Sequence, residues 1–490
     1  MPVNEAPHGP GDIGRATATN NERHEENRVI ARRYDIMGRP GLAALALSLA
    51  LALSVGLPGQ VRAQTPGGKG WISAWATATQ DPLPAGFAVG NPAVTSPQWK
   101  QMFPDNQASS QRFRMIVRPN AAGDHVRLRF SNLMGTKPVT FDEVSIATRA
   151  SGKSVVGGTA VPLKFGGASQ ATIAPGADVF CDPVAFDLVP ERDVAVSFQV
   201  VGESGPITWH AKAMTTSYMS APGAGGQADE AGETLQYELR SWLWLTEVQA
   251  YAPGVDRTAI VAVGDSITDG SGSTIDGNDR WADFLNKRLR AAGSLNVVIN
   301  EGIGGNRVVT MPWGPVLSGA YTSAAKLADH SGSPNTTDAR CDGCGAPAVI
   351  RLDRDVFSLP NVSSIILFEG VNDIGAGGSY AQVIAGMQDI VLRAHSRGIK
   401  VFAATITPYY GFAYDQVYSD LTRRQVNDWI RTSKTFDAVF DFDAAVRDPA
   451  YPSRIRPDLE AVDHIHLNPK GYEAAANTVT LSALDSKITK

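Results

Sequence analysis

Apolar and polar positions follow two different periods along this chain, and the change comes near residue 252. Between Trp71 and Tyr251, short apolar runs are separated by turn residues, and His125–Phe130 alternates polar and apolar side chains. A period of two is typical of half-buried strands, so this part is predicted to form an antiparallel all-β sandwich. The predicted strands include Phe113–Val117, Val126–Phe130, Val144–Ala147, Val194–Val201 and Trp242–Val248.

After residue 252, apolar positions recur with a helical period between runs that are typical of buried strands. Alternating strands and helices indicate a parallel sheet covered on both faces, so we predict an α/β fold, a three-layer α/β/α sandwich. The predicted strands are Ile260–Val263, Asn296–Asn300, Ser363–Phe368, Val401–Ile406 and Ala438–Phe442, and the predicted helices are Arg280–Ala292, Tyr380–His395, Val417–Ser433 and Asn468–Leu484.

The N-terminal stretch has the composition of an export signal. Residues 1–36 are polar and lack apolar periodicity, which is typical of disorder. Met37 is interpreted as the true start, because a basic residue, the apolar run Gly41–Leu57 and small residues before Ala63 follow it. This order predicts a secretory signal peptide cleaved after Ala63. The alternative is a membrane anchor, but the apolar run is shorter than the ~20 residues that a spanning helix needs.

Composition narrows the partners that we expect. The 490 residues are 43% hydrophobic and 19% charged, with a formal net charge of −5. That balance is typical of a globular protein and gives no reason to expect a nucleic acid or an anionic membrane surface as partner. It leaves the oligomeric state open.

Three cysteines bear on the compartment. Cys341 and Cys344 lie close together, and in an oxidising compartment they are expected to form a disulfide. The alternatives are a redox motif, which would belong at the start of a helix, and a zinc site, which would need two further ligands. Cys181 is interpreted as a buried free thiol.

Polar residues stand where the predicted parallel strands end. The run Ile260–Val263 leads directly into Gly264, Asp265 and Ser266. Ligands bind at the carboxyl ends of strands in α/β sheets, so Ser266 is a candidate nucleophile. The alternative is a simple turn in which Asp265 and Ser266 cap the next helix.

Three further stretches supply groups that a serine nucleophile needs. A glycine-rich loop, Glu301–Arg307, follows one strand, and the polar stretch Glu369–Asp373 follows another. Near the C terminus, Asp463 precedes His466 by three residues, just ahead of a predicted helix. One turn of chain can bring that carboxylate to Nδ1 of the histidine, which leaves Nε2 free to take a proton from a serine.

These four stretches resemble the GDSL esterases, also called SGNH hydrolases. The matching blocks are Gly264–Gly270, Asn300–Gly305, Gly370–Asp373 and Asp463–His466, in the order of that family. The resemblance implies a flavodoxin-like sheet with Ser266 as nucleophile, His466 as general base and acid, and Asp463 as its partner. It further implies an oxyanion hole made of the Ser266 and Gly305 backbone amides and the Asn372 side chain, with His464 as the competing base.

Composition and periodicity predict a disordered N terminus plus signal peptide at 1–63 and a β-sandwich accessory domain at 64–252, and the resemblance implies a catalytic domain at 253–490. The expected protein is secreted or periplasmic and hydrolyses carboxylic esters without a metal or organic cofactor. Its leading substrates are acetyl or short-acyl esters of carbohydrate, either small molecules or polysaccharide.

Other functions remain open at this point. A lipase or lysophospholipase is the second choice, followed by a non-catalytic carbohydrate-binding protein and a flavodoxin-type electron-transfer protein. The tryptophans of the first half could form a platform for sugars, although burial in the core is the more usual fate of this residue. The long stretch between Gly305 and Ser363 is predicted to form a wall of the substrate cleft.

Overall fold

The computed structural model of the protein describes residues 69–80, 82, 101–225, 230–309 and 344–488. The predicted signal peptide, the start at Met37 and most of the long stretch after Gly305 lie outside these residues. Val61–Lys490 is one compact unit. Among the described residues, each helix is too short or too polar to cross a bilayer.

The first half is β-rich, as predicted. Its strands are β1 (Trp71–Ala76), β2 (Gln107–Ser109), β3 (Arg112–Val117), β4 (Gly123–Ser131), β5 (Val139–Ser151), β6 (Ser154–Val155), β7 (Val161–Pro162), β8 (Ala171–Ile173), β9 (Asp178–Phe180), β10 (Val184–Leu188), β11 (Val194–Val200), β12 (Glu203–Pro206), β13 (Trp209–His210), β14 (Ser217–Met219), β15 (Tyr237–Leu239), β16 (Trp242–Leu243) and β17 (Leu245–Tyr251).

Two antiparallel sheets account for most of these strands. One has the order β1-β17-β4-β10, with β9 beside β4, and the other has the order β15-β14-β3-β11-β5-β6, with β7 and β8 beside β5. The sheets meet through aromatic side chains, since the rings of Phe130 on β4 and Phe198 on β11 lie 5.4 Å apart. Trp244 packs on the same cluster, with its ring 5.5 Å from that of Phe113.

The single strand predicted at Trp242–Val248 is wrong, because the chain breaks at Trp244. That residue has a left-handed φ of 56° and separates β16 from β17. Strand β16 pairs with β13, whereas β17 pairs with β1 and β4, so the chain changes its partner strands at Trp244. All four residues from Trp242 to Leu245 are buried.

The tryptophans of the first half are mostly core residues rather than a platform for sugars. Trp75, Trp209, Trp242 and Trp244 are all buried. Trp71 is half-buried and stacks against Tyr251, with ring centroids 5.1 Å apart.

Among its described residues, the second half contains five parallel strands and the helices that connect them. The strands are β18 (Ala259–Gly264), β19 (Val297–Gly302), β20 (Val362–Phe368), β21 (Lys400–Ala404) and β22 (Ala438–Phe440). The helices are α1 (Ser266–Asp269), α2 (Trp281–Ala291), α3 (Ala348–Asp355), α4 (Val371–Gly375), α5 (Tyr380–His395), α6 (Val417–Thr432), α7 (Phe442–Val446), α8 (Pro469–Asn477) and α9 (Leu481–Leu484).

The predicted parallel sheet is confirmed. Its strand order is β19-β18-β20-β21-β22, with every neighbouring pair parallel. At the carboxyl edge, Gly264 of β18 is in register with Gly302 of β19 and Phe368 of β20. The three segments that follow these strands therefore start side by side, which is how residues distant in sequence can reach one site.

The final helix is shorter than predicted. Asn468–Leu484 was expected to be continuous, but α8 ends at Asn477 and the separate turn α9 follows. The residues between them include Thr478, Val479 and Thr480, and β-branched side chains lose rotamer freedom in a helix. The Arg288 guanidinium of α2 also donates to the Ala476 and Val479 carbonyls, which satisfies backbone acceptors where α8 stops.

Candidate active site

Ser266 is the first residue of α1 and follows β18 after only Asp265. The Asp265 carboxylate caps this helix by accepting a hydrogen bond of 2.8 Å from the Ile267 N–H. Asp265 therefore caps the helix, and the role of the adjacent Ser266 as nucleophile stays a prediction. Gly264 is required here, because a Cβ would lie 2.4 Å from the Phe368 carbonyl oxygen.

His466 connects Ser266 to Asp463. The His466 Nε2 atom lies 2.7 Å from the Ser266 Oγ, across 200 positions of sequence. On the other side of the ring, Nδ1 lies 2.5 Å from the Asp463 Oδ2. Asp463 also accepts a 3.1 Å bond from the backbone N–H of His466, so the short turn holds carboxylate and ring together.

The Asp463 carboxyl is held in its ionised form. Burial by itself would raise its pKa, but the hydrogen bond and charge of His466 and two backbone N–H groups outweigh burial and lower the pKa. A carboxylate beside Nδ1 keeps the proton on that nitrogen and leaves Nε2 as the base that faces Ser266.

His464, the competing base, has a different partner. Its Nδ1 lies 3.1 Å from the Glu460 Oε2, and its ring packs against Gly411. His464 has a left-handed φ of 66°, which turns this side chain away from the line of Asp463 and His466. Of the two histidines, His466 is the one that contacts both Ser266 and Asp463, and its role as the base stays a prediction.

Asn372 lies on α4, immediately after β20, with its amide held on two sides. Its Nδ2 donates to the Asn306 carbonyl at 2.9 Å, and its Oδ1 accepts from the Tyr414 hydroxyl at 3.1 Å. A side-chain amide carries two N–H groups, so the second remains able to bind a ligand oxygen. Asn372 was predicted from its sequence position but Tyr414 was not, since a loop tyrosine carries no pattern.

Gly305 follows β19 in a tight turn with a φ of 78°. The preceding Gly304 N–H donates to the Asp269 Oδ2 at 2.9 Å, and the Ile303 N–H donates to the Gly264 carbonyl at 3.0 Å. These bonds fix the loop against the segment that carries Ser266. The role of the Gly305 amide in an oxyanion hole stays a prediction.

Residues 262–474 match the family model described as GDSL-like lipase/acylhydrolase. This segment is a GDSL-like lipase/acylhydrolase domain. The protein is therefore a carboxylic ester hydrolase, as the four sequence blocks predicted. No curated protein matches the chain.

Several solved structures are similar to the chain. A carbohydrate acetylesterase family member from Sinorhizobium meliloti is 17% identical and covers 45% of this chain and 94% of its own, with a TM-score of 0.30. A GDSL-like lipase from Bacteroides thetaiotaomicron is 13% identical and covers 47% and 89%, with a TM-score of 0.30. An acetyl xylan esterase is 16% identical and covers 45% and 97%, with a TM-score of 0.30.

Arg351 supports the GDSL domain from beneath the site, and sequence analysis missed it. This buried guanidinium donates to the Gly264 carbonyl at 3.1 Å and to the Glu301 carbonyl at 2.6 Å. Its Nε donates at 2.9 Å to the side chain of Asn306, whose carbonyl holds Asn372. Arg351 lies on α3, a helix that was not predicted. The apolar residues around Arg351 in the sequence were the only sign that its side chain is buried.

Buried carboxyl groups also lie under the strand ends of the GDSL domain. Burial raises the pKa of Asp265 to about 7, and the Asp373 and Asp269 carboxylates add to this shift. Burial and then the Asp265 carboxylate raise the pKa of Glu369 well above its usual range. Neither Glu369 oxygen has a hydrogen-bond partner among the described residues.

The cysteines follow the sequence interpretation where the structure describes them. Cys344 is disulfide-bonded, whereas Cys341 lies outside the described residues. Cys181 is a buried free thiol that accepts a hydrogen bond from the Leu128 N–H at 3.1 Å. Burial raises the pKa of this thiol to about 12, so Cys181 is a structural residue.

Proposed function

We propose that Ser266, His466 and Asp463 hydrolyse the ester through an acyl-enzyme intermediate. The observation that carries this proposal is the position of His466, 2.7 Å from the Ser266 Oγ and 2.5 Å from the Asp463 carboxylate. His466 takes the hydroxyl proton as the Oγ attacks the ester carbonyl, then gives it to the departing alcohol. In the deacylation step, His466 removes a proton from the water molecule that attacks the acyl-enzyme and releases the acid.

The negative charge on the carbonyl oxygen requires donors on the opposite side of the attacked carbon. We assign this task to the Ser266 and Gly305 backbone amides and to the second N–H of Asn372. Support comes from the sheet register, which sets Gly264, Gly302 and Phe368 side by side just ahead of these residues. The bonds that hold Asn372 to Asn306 and Tyr414 make its amide a preorganised donor.

The scaffold that we infer is the three-layer sandwich. Helix α2 contacts α8, which contacts α7, whereas α3 and α6 both contact α5. The chain order reverses at β18, and crossover connections between parallel strands are right-handed, so the two sets of helices would cover opposite faces of the sheet.

The substrates that we propose are acetyl or short-acyl esters of carbohydrate. The predicted export and the β-rich half packed against the GDSL domain support a carbohydrate alcohol. A long acyl chain would instead want a large apolar groove.

Export to an oxidising compartment is part of the proposal. The sequence pattern of a signal peptide, with cleavage predicted after Ala63, suggests export. The disulfide at Cys344 supports it, because disulfides persist in secreted and periplasmic proteins and are rare in the cytosol.

Hydrolysis of p-nitrophenyl esters from acetyl to palmitoyl, and of acetylated xylan, tests this function. We expect kcat/KM to be highest for acetyl and to fall with chain length. Ser266→Ala should lower kcat by about 10⁴-fold or more at unchanged thermal stability. An optimum at eight carbons or longer would instead identify a lipase, and a Ser266→Ala protein that keeps more than about a tenth of the activity would overturn the triad.

A further inference from the structure

A segment of the β-rich half lies along the start of the GDSL domain. His210 Nε2 lies 3.1 Å from the Asp269 Oδ1, and the Lys212 ammonium donates to the Ser271 hydroxyl at 2.8 Å. Farther on, the Thr216 hydroxyl donates to Asp276 at 2.7 Å. These polar contacts lie at the end of α1, the helix that begins with Ser266, and along the segment that follows it.

Asp269 connects His210 to the candidate active site. One carboxylate oxygen binds His210, and the other accepts the Gly304 N–H at 2.9 Å. Asp269 ends the helix that Ser266 begins, and Gly304 directly precedes Gly305. A single side chain, only 2% exposed, thus joins the helix of the nucleophile to the loop of the proposed oxyanion donor.

The His210 ring is buried and held by several contacts. It is 3% exposed, and its Nδ1 lies 2.8 Å from the Ala78 carbonyl oxygen. The Trp242 ring covers it at a centroid distance of 5.4 Å. A carbonyl can only accept, so Nδ1 donates to Ala78, and Nε2 is the ring nitrogen beside the Asp269 carboxylate.

We propose that His210 is a positioning residue of the esterase reaction. It holds the Asp269 carboxylate, which holds Gly304 and so places the Gly305 amide at the oxyanion. The inference rests on the proposed function, because it needs Gly305 to be an oxyanion donor. The β-rich half would thereby help to position a group that stabilises the transition state.

The size of the expected loss in kcat follows from the indirect role of His210, which does not itself contact the reacting atoms. Removal of a direct oxyanion donor costs about 10²- to 10³-fold in kcat, and a misplacement of about 1 Å can cost about 10²-fold. His210 acts through Asp269, so we expect a loss of about 10- to 100-fold on replacement. Ground-state binding depends less on this donor, so KM should change by less than about 3-fold.

The experiment compares full-length wild type with His210→Leu, His210→Gln, Asp269→Ala and the His210→Leu/Asp269→Ala double variant. Titration with a fluorophosphonate, carried to completion, counts active sites, so kcat per site is independent of misfolded protein. His210→Leu should show the predicted fall and a matching loss of affinity for a trifluoromethyl ketone, which forms a tetrahedral adduct. His210→Gln keeps a donor near Asp269 and should recover part of both.

Two comparisons separate positioning from simple packing. If His210 acts through Asp269, the double variant should be no slower than Asp269→Ala. Thr216→Val breaks a contact between the same two regions, yet it should keep kcat per site within about 2-fold because Asp276 does not hold Gly304.

An unchanged kcat per site in His210→Leu and His210→Gln would overturn the inference, as would an equal loss in Thr216→Val. A wild-type enzyme that the fluorophosphonate does not label would instead refute the serine mechanism. The two failures are therefore distinguishable.

Discussion

Asp265 and Ser266 are neighbours with opposite surroundings. The Asp265 carboxyl points into the protein, where it caps α1 and lies near Asp373 and Asp269. The Ser266 hydroxyl points out toward His466. Buried carboxyl groups therefore lie behind the candidate catalytic residues, and their protonation depends on pH.

Glu369 shows what this burial does to stability. A carboxyl whose pKa is higher in the folded than in the unfolded protein stabilises the fold at low pH. For Glu369, this contribution is complete below the unfolded value of about 4.3 and is lost as pH rises through the folded value. Asp265 follows the same rule, with its loss spread between the unfolded value of about 3.9 and its folded value of about 7.

We predict that the melting temperature of the wild type falls between pH 5.5 and 8.5, and that Glu369→Gln reduces this fall. Glutamine keeps the shape but cannot ionise, so the fall should shrink by about 2–4 °C for each kcal/mol removed. Differential scanning calorimetry across this range measures the effect. Glu473→Gln, an exposed change on α8, is the control and should follow the wild type; a parallel fall in Glu369→Gln would contradict the account.

Secondary-structure elements with a strong period were predictable from sequence. Helix α5 occupies Tyr380–His395 as predicted, because Ser379 and Gln382 form a capping box at its start and Gly398 follows its end. The strand ends were also informative, since polar residues directly after buried strands mark the edge where ligands bind. Ser266 and Asn372 were found in this way.

Apart from the pairing of Ser266 with His466, which the family resemblance implied, contacts between distant parts of the chain could not be predicted. His210 and Asp269 are 59 positions apart and lie in differently folded regions, so neither period nor spacing links them. Arg351 supports Gly264 across 87 positions from a helix too short to show a clear period. The break at Trp244 lies where the chain changes its partner strands, which local strand propensity cannot anticipate.

On the scale of the whole molecule, the two halves are packed together. Strand β1 contacts β19, the Arg257 guanidinium donates to the Ala122 carbonyl at 2.7 Å, and that of Arg354 donates to the Thr79 carbonyl at 2.9 Å. Both halves belong to one compact unit. The domain boundary at 252/253 remains a prediction, and its meaning for folding can be tested.

A shortened chain that begins at Arg257 should be insoluble or unfolded, because it loses the strand packed on β19 and the partner of Asp269. Soluble yield and circular dichroism measure this outcome, with a chain that begins at residue 64 as the control. A soluble shortened chain that is as active as the control on both p-nitrophenyl acetate and acetylated polysaccharide would show that the β-rich half supplies neither folding nor positioning.

The triad is tested most directly by the site and rate of covalent labelling with a fluorophosphonate, followed by peptide mass spectrometry. The account predicts one label per chain, on Ser266. It predicts labelling slower by about 10³-fold or more in His466→Ala and within about 3-fold of wild type in His464→Ala, because the base next to the hydroxyl sets the rate. A label on another residue, or slow labelling in His464→Ala with a normal rate in His466→Ala, would contradict it.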